Sequence, residues 1–211
     1  MTVFVAGRHS GTAAWRRSVA EATAGVRLGP AVRLDFTLRP NHWVDVDTLA
    51  ETTLRGLADA GAIARGFNEI TDVVATKRHA GDGLGVRIAP ATDRDTEPPG
   101  HAAFAASSPV RPRPGDREAK RAWRTVLARA HGDRPPLDGA LWAHVALGGA
   151  GSLLASLEVA LDALEPVLGR DPRGRAWQEF FPNDHLVVWL HVHRRAADSG
   201  VTLRLGRLKD L

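Results

Sequence analysis

The sequence predicts an α+β protein built as two diverged β-α-β-α-β-β units in one chain. Three observations predict it. Residues 30–38 alternate apolar and polar side chains, as a half-buried strand does. Residues 48–60 carry an apolar stripe at helical spacing, closed by Gly61. After a Pro-rich stretch the same succession starts again, with Trp123 standing where Trp15 stands in the first half.

The first unit reads in order. Thr2 to Ala6 is a short β-rich run, and Ser10 to Thr23 is an amphipathic helix with Ala14, Trp15, Val19 and Ala22 near one face. In the strand that follows, Val32, Leu34, Phe36 and Leu38 point one way and Arg33, Asp35 and Thr37 the other. Pro40 ends it. Asp45 or Asp47 then serves as N-cap for the helix over 48–60, whose buried stripe is Leu49, Thr53, Leu54, Leu57 and Ala60. Ile70 to Thr76 is strand-like, His79 to Gly85 has hairpin-turn chemistry, and Gly85 to Ala89 returns as the closing strand.

The first unit thus spans 1–90, and the polar, Pro-rich residues 91–100 form a linker. The second unit spans 101–211. Its predicted elements are a helix over Ala119–Ala130, an alternating strand within Asp138–Gly148, a helix over Ser152–Leu164, and a hairpin of Leu186–His193 with Val201–Leu205.

Composition sets broad bounds. With 44% hydrophobic and 25% charged residues in 211, the balance is that of an ordinary globular chain. There is no cysteine, which removes disulfides and thiolate metal sites and suits a reducing compartment. No run approaches the roughly 20 apolar residues that span a bilayer, and the first residues lack signal-peptide grammar, so the expectation is a cytoplasmic protein with no membrane partner. Net charge is +4, yet the isoelectric point is near 10.5 because Arg supplies nearly all the cations. Arg suits phosphate recognition, although a GC-rich genome gives the same bias.

The sharpest motif is His42-Trp43-Val44-Asp45-Val46-Asp47-Thr48-Leu49, followed by the helix and then Asn68-Glu69. Two aspartates at i and i+2 in an extended segment aim their carboxylates the same way. Such oxygens suit a hard cation such as Mg²⁺. On their own, Asp45 and Asp47 read more simply as residues capping a helix beside its dipole.

In this context residues 2–89 resemble the RusA family of Holliday junction resolvases. The resemblance rests on Asp45-Val46-Asp47-Thr48-Leu49 opening a helix, the Gly61 turn, the Asn68-Glu69 pair, and Lys77 ahead of the Gly-rich turn. It implies a Mg²⁺-dependent endodeoxyribonuclease acting on branched DNA in recombination and repair. It carries catalysis and metal binding to Asp45, Asp47 and Glu69, with Asp72 competing for the third metal position. Phosphate contacts fall to Lys77 and Arg78. Two departures stand out: Thr48 replaces the family's Asn, and Glu51 replaces a functional Lys. Glu51 is either a loss beside a phosphate site or an additional ligand.

The second unit has Ser152 and Leu154 where the first has its aspartates, and keeps Asn183-Asp184 at the acidic-pair position. The expectation is a single-chain pseudo-dimer with one catalytic half, either alone or as a further homodimer. The alternative is a DNA-binding or scaffold protein that has kept the fold and lost the reaction.

Other features carry less. Arg111 to Arg134 holds eight Lys/Arg against three acidic residues. It is either a DNA-backbone surface, with Arg121 and Arg124 in contact, or a solvated helix face. His185, His191 and His193 with Asp184 are the candidate transition-metal cluster, set against half-exposed strand histidines. Gly148-Gly149-Ala150-Gly151 lacks the Gly-Lys-Ser/Thr ending of a phosphate loop.

Overall fold

Residues 1–9, 13–64, 69–149, 152–195 and 199–208 are described by a computed structural model. The first half contains β1 (Val3–Ala6), α1 (Ala13–Ala22), β2 (Ala31–Leu38), α2 (Val46–Asp59), β3 (Asp72–His79) and β4 (Gly85–Pro90). A one-turn helix α3 (Asp93–Thr96) follows. The second half contains β5 (Phe104–Ser108), α4 (Arg117–His131), β6 (Leu141–Gly148), α5 (Leu153–Asp162), the short α6 (Glu165–Leu168), β7 (Val187–Arg195) and β8 (Val201–Arg207). The mixed α+β class agrees with the sequence expectation, but neither expected hairpin forms: β2 lies between β3 and β4, and β6 between β7 and β8. Asn68 and the Ala150-Gly151 end of the glycine run lie outside the described residues.

Among the described residues the eight strands join in one sheet, ordered β1-β4-β2-β3-β7-β6-β8-β5. Read inward from either edge, the order is the same. β1-β4-β2-β3 of the first half is repeated as β5-β8-β6-β7 in the second. The pairing senses repeat too: β2 with β3 and β6 with β7 are parallel, and the remaining pairs within each half are antiparallel. The halves meet where β3 pairs antiparallel with β7, from Asp72 opposite His193 to Thr76 opposite Trp189.

Alternation decides which face is covered. Leu34 and Phe36 of β2, Val73 and Ala75 of β3, Ala143 and Val145 of β6, and Leu190 and Val192 of β7 lie in one continuous core with the helices. The intervening positions, among them Arg33, Asp35, His144, Trp189 and His191, belong to the opposite face. One tryptophan anchors each half in matching fashion. Trp15 of α1 donates to Thr53 Oγ1 of α2 at 3.1 Å, and Trp123 of α4 donates to the Ala160 carbonyl of α5 at 3.2 Å. Each indole is almost wholly buried, so its N–H needs such a partner.

The α1–α2 contact depends on Gly56. A Cβ there would lie 2.7 Å from the Arg16 carbonyl oxygen and 2.8 Å from Val19 Cβ. Gly56→Ala is therefore expected to destabilise the protein by about 1–3 kcal/mol despite alanine's better helix propensity, and thermal denaturation measures it.

The linker is more ordered than its composition suggests. It leaves β4, second from one edge, and reaches β5 at the far edge, a traverse of about 29 Å at the usual strand spacing. On the way Thr92 and Asp95 form a capping box, and Asp95 pairs with Arg33 of β2. Strand β5 has no sequence forecast; it is held through β8 by pairs such as Phe104 with Leu205.

Candidate functional site

The β3–β7 pairing brings the end of β3 to the start of β7, and the segment ahead of α2 lies over that junction. Asp45 is the N-cap of α2 in extended backbone, yet its side chain makes no capping hydrogen bond. It is hydrogen-bonded instead to Asp184, in the 3-10 turn Asp184–Leu186 that leads into β7. Asp47, in the first turn of α2, has a buried Oδ1 with no hydrogen-bond partner.

Lys77 of β3 joins the two segments. Its Nζ donates to the Val44 carbonyl at 2.8 Å and to the His185 carbonyl at 2.7 Å. At the end of α5, Asp162 pairs with Lys120 of α4 and adds its charge to the same pocket.

Crowding of like charge shows in the protonation equilibria. Burial first, and then the Asp45 charge, push the Asp47 carboxyl up to about 7. Burial and the Asp45 and Asp47 charges push Asp184 up further. Burial lowers the Lys77 ammonium to about 8, against the pull of Asp45, Asp184 and Asp47. Asp45, Asp47 and Asp184, with Asp162 beside them and the Lys77 ammonium, thus share a poorly hydrated pocket drawn from both halves of the chain.

The rim carries aromatic and cationic groups. Trp43 is 61% exposed, its ring edge-on to His185 at 5.2 Å and beneath the Arg173 guanidinium at 5.7 Å. Arg173 also pairs with the buried Asp171. Beside Trp43 lies a cavity of about 440 Å³ lined by Arg8, Thr37, Arg39 and His42.

Asp45 and Asp47 lie close enough for the charge of one to act on the other. Glu69 is exposed in the turn before β3, and Asp72 begins that strand. Five residue steps along the strand separate Asp72 from Lys77, about 16 Å, so Glu69 and Asp72 sit at the opposite end from the pocket. Asp72 is hydrogen-bonded to His191 Nε2 at 3.1 Å and to Thr71 Oγ1 at 2.8 Å. Asp184 of the second half instead lies with Asp45 and Asp47 in the pocket. Sequence reasoning placed that residue at the matching position of its own half but did not foresee that β3–β7 pairing delivers it to the other.

The cations also sort differently from expectation. Lys77 is 7% exposed and belongs to the pocket interior, while Arg78 is exposed on β3. Arg121 pairs with Glu179 at 2.6 Å and Arg124 with Glu165 at 3.3 Å, so both spend their charge within the protein. Glu51 pairs with Arg55 one turn on at 2.5 Å, a surface pair of small energetic weight.

No protein-family model and no curated protein sequence matches the chain. Among the described residues no helix is long and apolar enough to cross a membrane.

An all-carboxylate donor set with one orphaned buried oxygen fits a hard divalent cation in kind. The fit in geometry is looser. Among the described residues the one group with three ligand atoms all within 4.8 Å of one another is His144, His191 and His193. Asp45, Asp47 and Asp184 do not meet that distance as they stand.

Proposed function

We propose that the protein is a Mg²⁺-dependent endodeoxyribonuclease acting on branched DNA, with its chemistry at the Asp45–Asp47–Asp184 pocket. The observation that carries this reading is the gathering of those carboxylates from two halves of the chain, with Asp47 Oδ1 buried and unpaired. Such crowding raises the free energy of the ionised site, and binding of a divalent cation relieves it. Asp45, Asp47 and Asp184 would hold the ion. Bound there, Mg²⁺ supplies an activated water and stabilises charge on the phosphoryl oxygens.

The other residues divide the remaining work. Lys77 holds the Asp45 segment and the Asp184 turn in register through its two carbonyl contacts. Trp43 offers an exposed ring on which an unpaired base at a branch stacks, and Arg8 and Arg39 face phosphates along the adjoining cavity. The two halves descend from a duplicated RusA-like unit, of which one acidic pocket survives. At the opposite end of the junction, Ser152 caps α5 through Ala155 N–H, and Leu154 is buried.

One pocket per chain predicts nicking rather than paired cleavage. A labelled four-way junction incubated with Mg²⁺ is expected to give single nicks, with a linear duplex cut far more slowly. Symmetric paired incisions at equal rates would contradict the one-pocket reading. Salt-sensitive junction binding without any cutting would favour a DNA-binding protein that has lost the reaction, for which the Glu51–Arg55 pair in place of a free cation speaks.

A further inference from the structure

We propose that His144, His191 and His193 form a Zn²⁺ site on the sheet face away from the helices, with Asp72 orienting His191 from across the junction of the two halves. His191 and His193 are two apart on β7 and share a face, and His144 is in register with His191 on the neighbouring β6. The three rings form a near-equilateral triangle, with centroids 5.0, 4.9 and 5.1 Å apart. One ligand atom from each lies within 4.8 Å of the other two.

The hydrogen bonding leaves one ring nitrogen of each histidine available to a ligand. The Nδ1 atoms of all three histidines are buried and have no partner. Leaving three buried ring nitrogens unpaired costs free energy that bare packing does not return. His191 Nε2 meets Asp72 Oδ1 at 3.1 Å, which fixes the proton on Nε2 and leaves Nδ1 as a donor atom. A carboxylate behind a ligating imidazole is the arrangement that orients zinc ligands and strengthens them.

The choice of metal follows from the donors. Three neutral imidazoles without carboxylate in the inner set suit Zn²⁺ and leave a fourth tetrahedral position for water or an anion. Arg204 faces His144 in the β6–β8 register and Arg195 lies beside His193. These cations weaken binding of a bare ion and favour an anion in the fourth position. Because β6 and β7 carry the ligands and β3 carries Asp72, the ion would tie the second half to the first across their seam.

The test is a titration of the chelator-stripped full chain with ZnCl₂, in excess Mg²⁺ that keeps the acidic pocket occupied, followed by calorimetry, alongside Co²⁺ absorption as a report of geometry. One ion per chain is expected, with intense tetrahedral Co²⁺ bands that Zn²⁺ abolishes and a higher melting temperature on loading. A His144→Ala, His193→Ala double variant should lose this binding. Asp72→Asn, which keeps all three ligands, should weaken it by about 10–100-fold. Asp47→Asn, in the separate acidic pocket, should leave it unchanged. Circular dichroism of each variant checks folding, and Asp72→Asn keeps the test informative if the double variant unfolds. Absence of stoichiometric binding, octahedral Co²⁺ spectra, or binding that survives in the folded double variant would overturn the proposal.

Discussion

Asp184→Asn is expected to abolish Mg²⁺-dependent junction cleavage as completely as Asp47→Asn, by about a thousandfold or more. That loss corresponds to roughly 4 kcal/mol of transition-state stabilisation. The reason is positional. Asp184 belongs to the second half, yet its carboxyl is hydrogen-bonded to Asp45 and shares the pocket with Asp47. Glu69, the acidic residue in the first half's own sequence-predicted position, is exposed beyond the far end of β3. Glu69→Gln should leave cleavage within about threefold, as surface changes away from a site generally do. Single-turnover rates on one labelled junction separate the outcomes. If Glu69→Gln is dead and Asp184→Asn active, the pocket is not the catalytic centre.

In the absence of divalent metal, Asp47→Asn is expected to be more stable than the wild-type chain at pH 8, by up to about 4 kcal/mol. Burial and the neighbouring Asp45 charge push the Asp47 carboxyl up to about 7 in the folded chain, from the ordinary aspartate value of about 3.9. A carboxyl raised in this way contributes stability that is fully present below about pH 4 and is lost as pH rises through 7. Asp184, raised further, extends the loss upward. His9 and His144, lowered to about 4, act with the opposite sign between about pH 4 and 6.5. The wild-type curve alone therefore mixes these effects, and the difference between wild type and Asp47→Asn isolates the carboxyl. Denaturant unfolding in chelator at pH 5 and pH 8 should show the gap opening at the higher pH. Added Mg²⁺ should close it by stabilising only the wild-type chain. A gap independent of pH would mean that Asp47 ionises freely in the folded protein.

Much of the architecture is legible in the sequence because burial follows period. Alternation in β2 and β6 marks the core side of the sheet, and the Trp15 and Trp123 helices are readable from their apolar stripes. Strand β5 is not legible: Phe104-Ala-Ala-Ser-Ser has one large apolar residue, and its conformation comes from pairing with β8. Asp45 and Asp47 are readable as a pair because their geometry is local. Their partner Asp184 depends on which strands of the two halves touch, and no local pattern encodes that. His144 is hidden for a related reason. Within β6 it is simply an outward polar residue, and it gains meaning only once β7 places His191 and His193 alongside.

The antiparallel seam between β3 and β7 has a consequence for fragments of the chain. Cut between the halves, β3 would become an edge strand with Val73, Val74 and Ala75, buried in the intact protein, at its centre. Its unpaired amides and carbonyls would template addition of another strand, and its ends alone carry charge, through Asp72, Lys77 and Arg78. A separately expressed first half would therefore self-associate through that edge, one β3 against another, or aggregate. Covalent fusion keeps the complementary strand at high local concentration and so protects the chain from that fate.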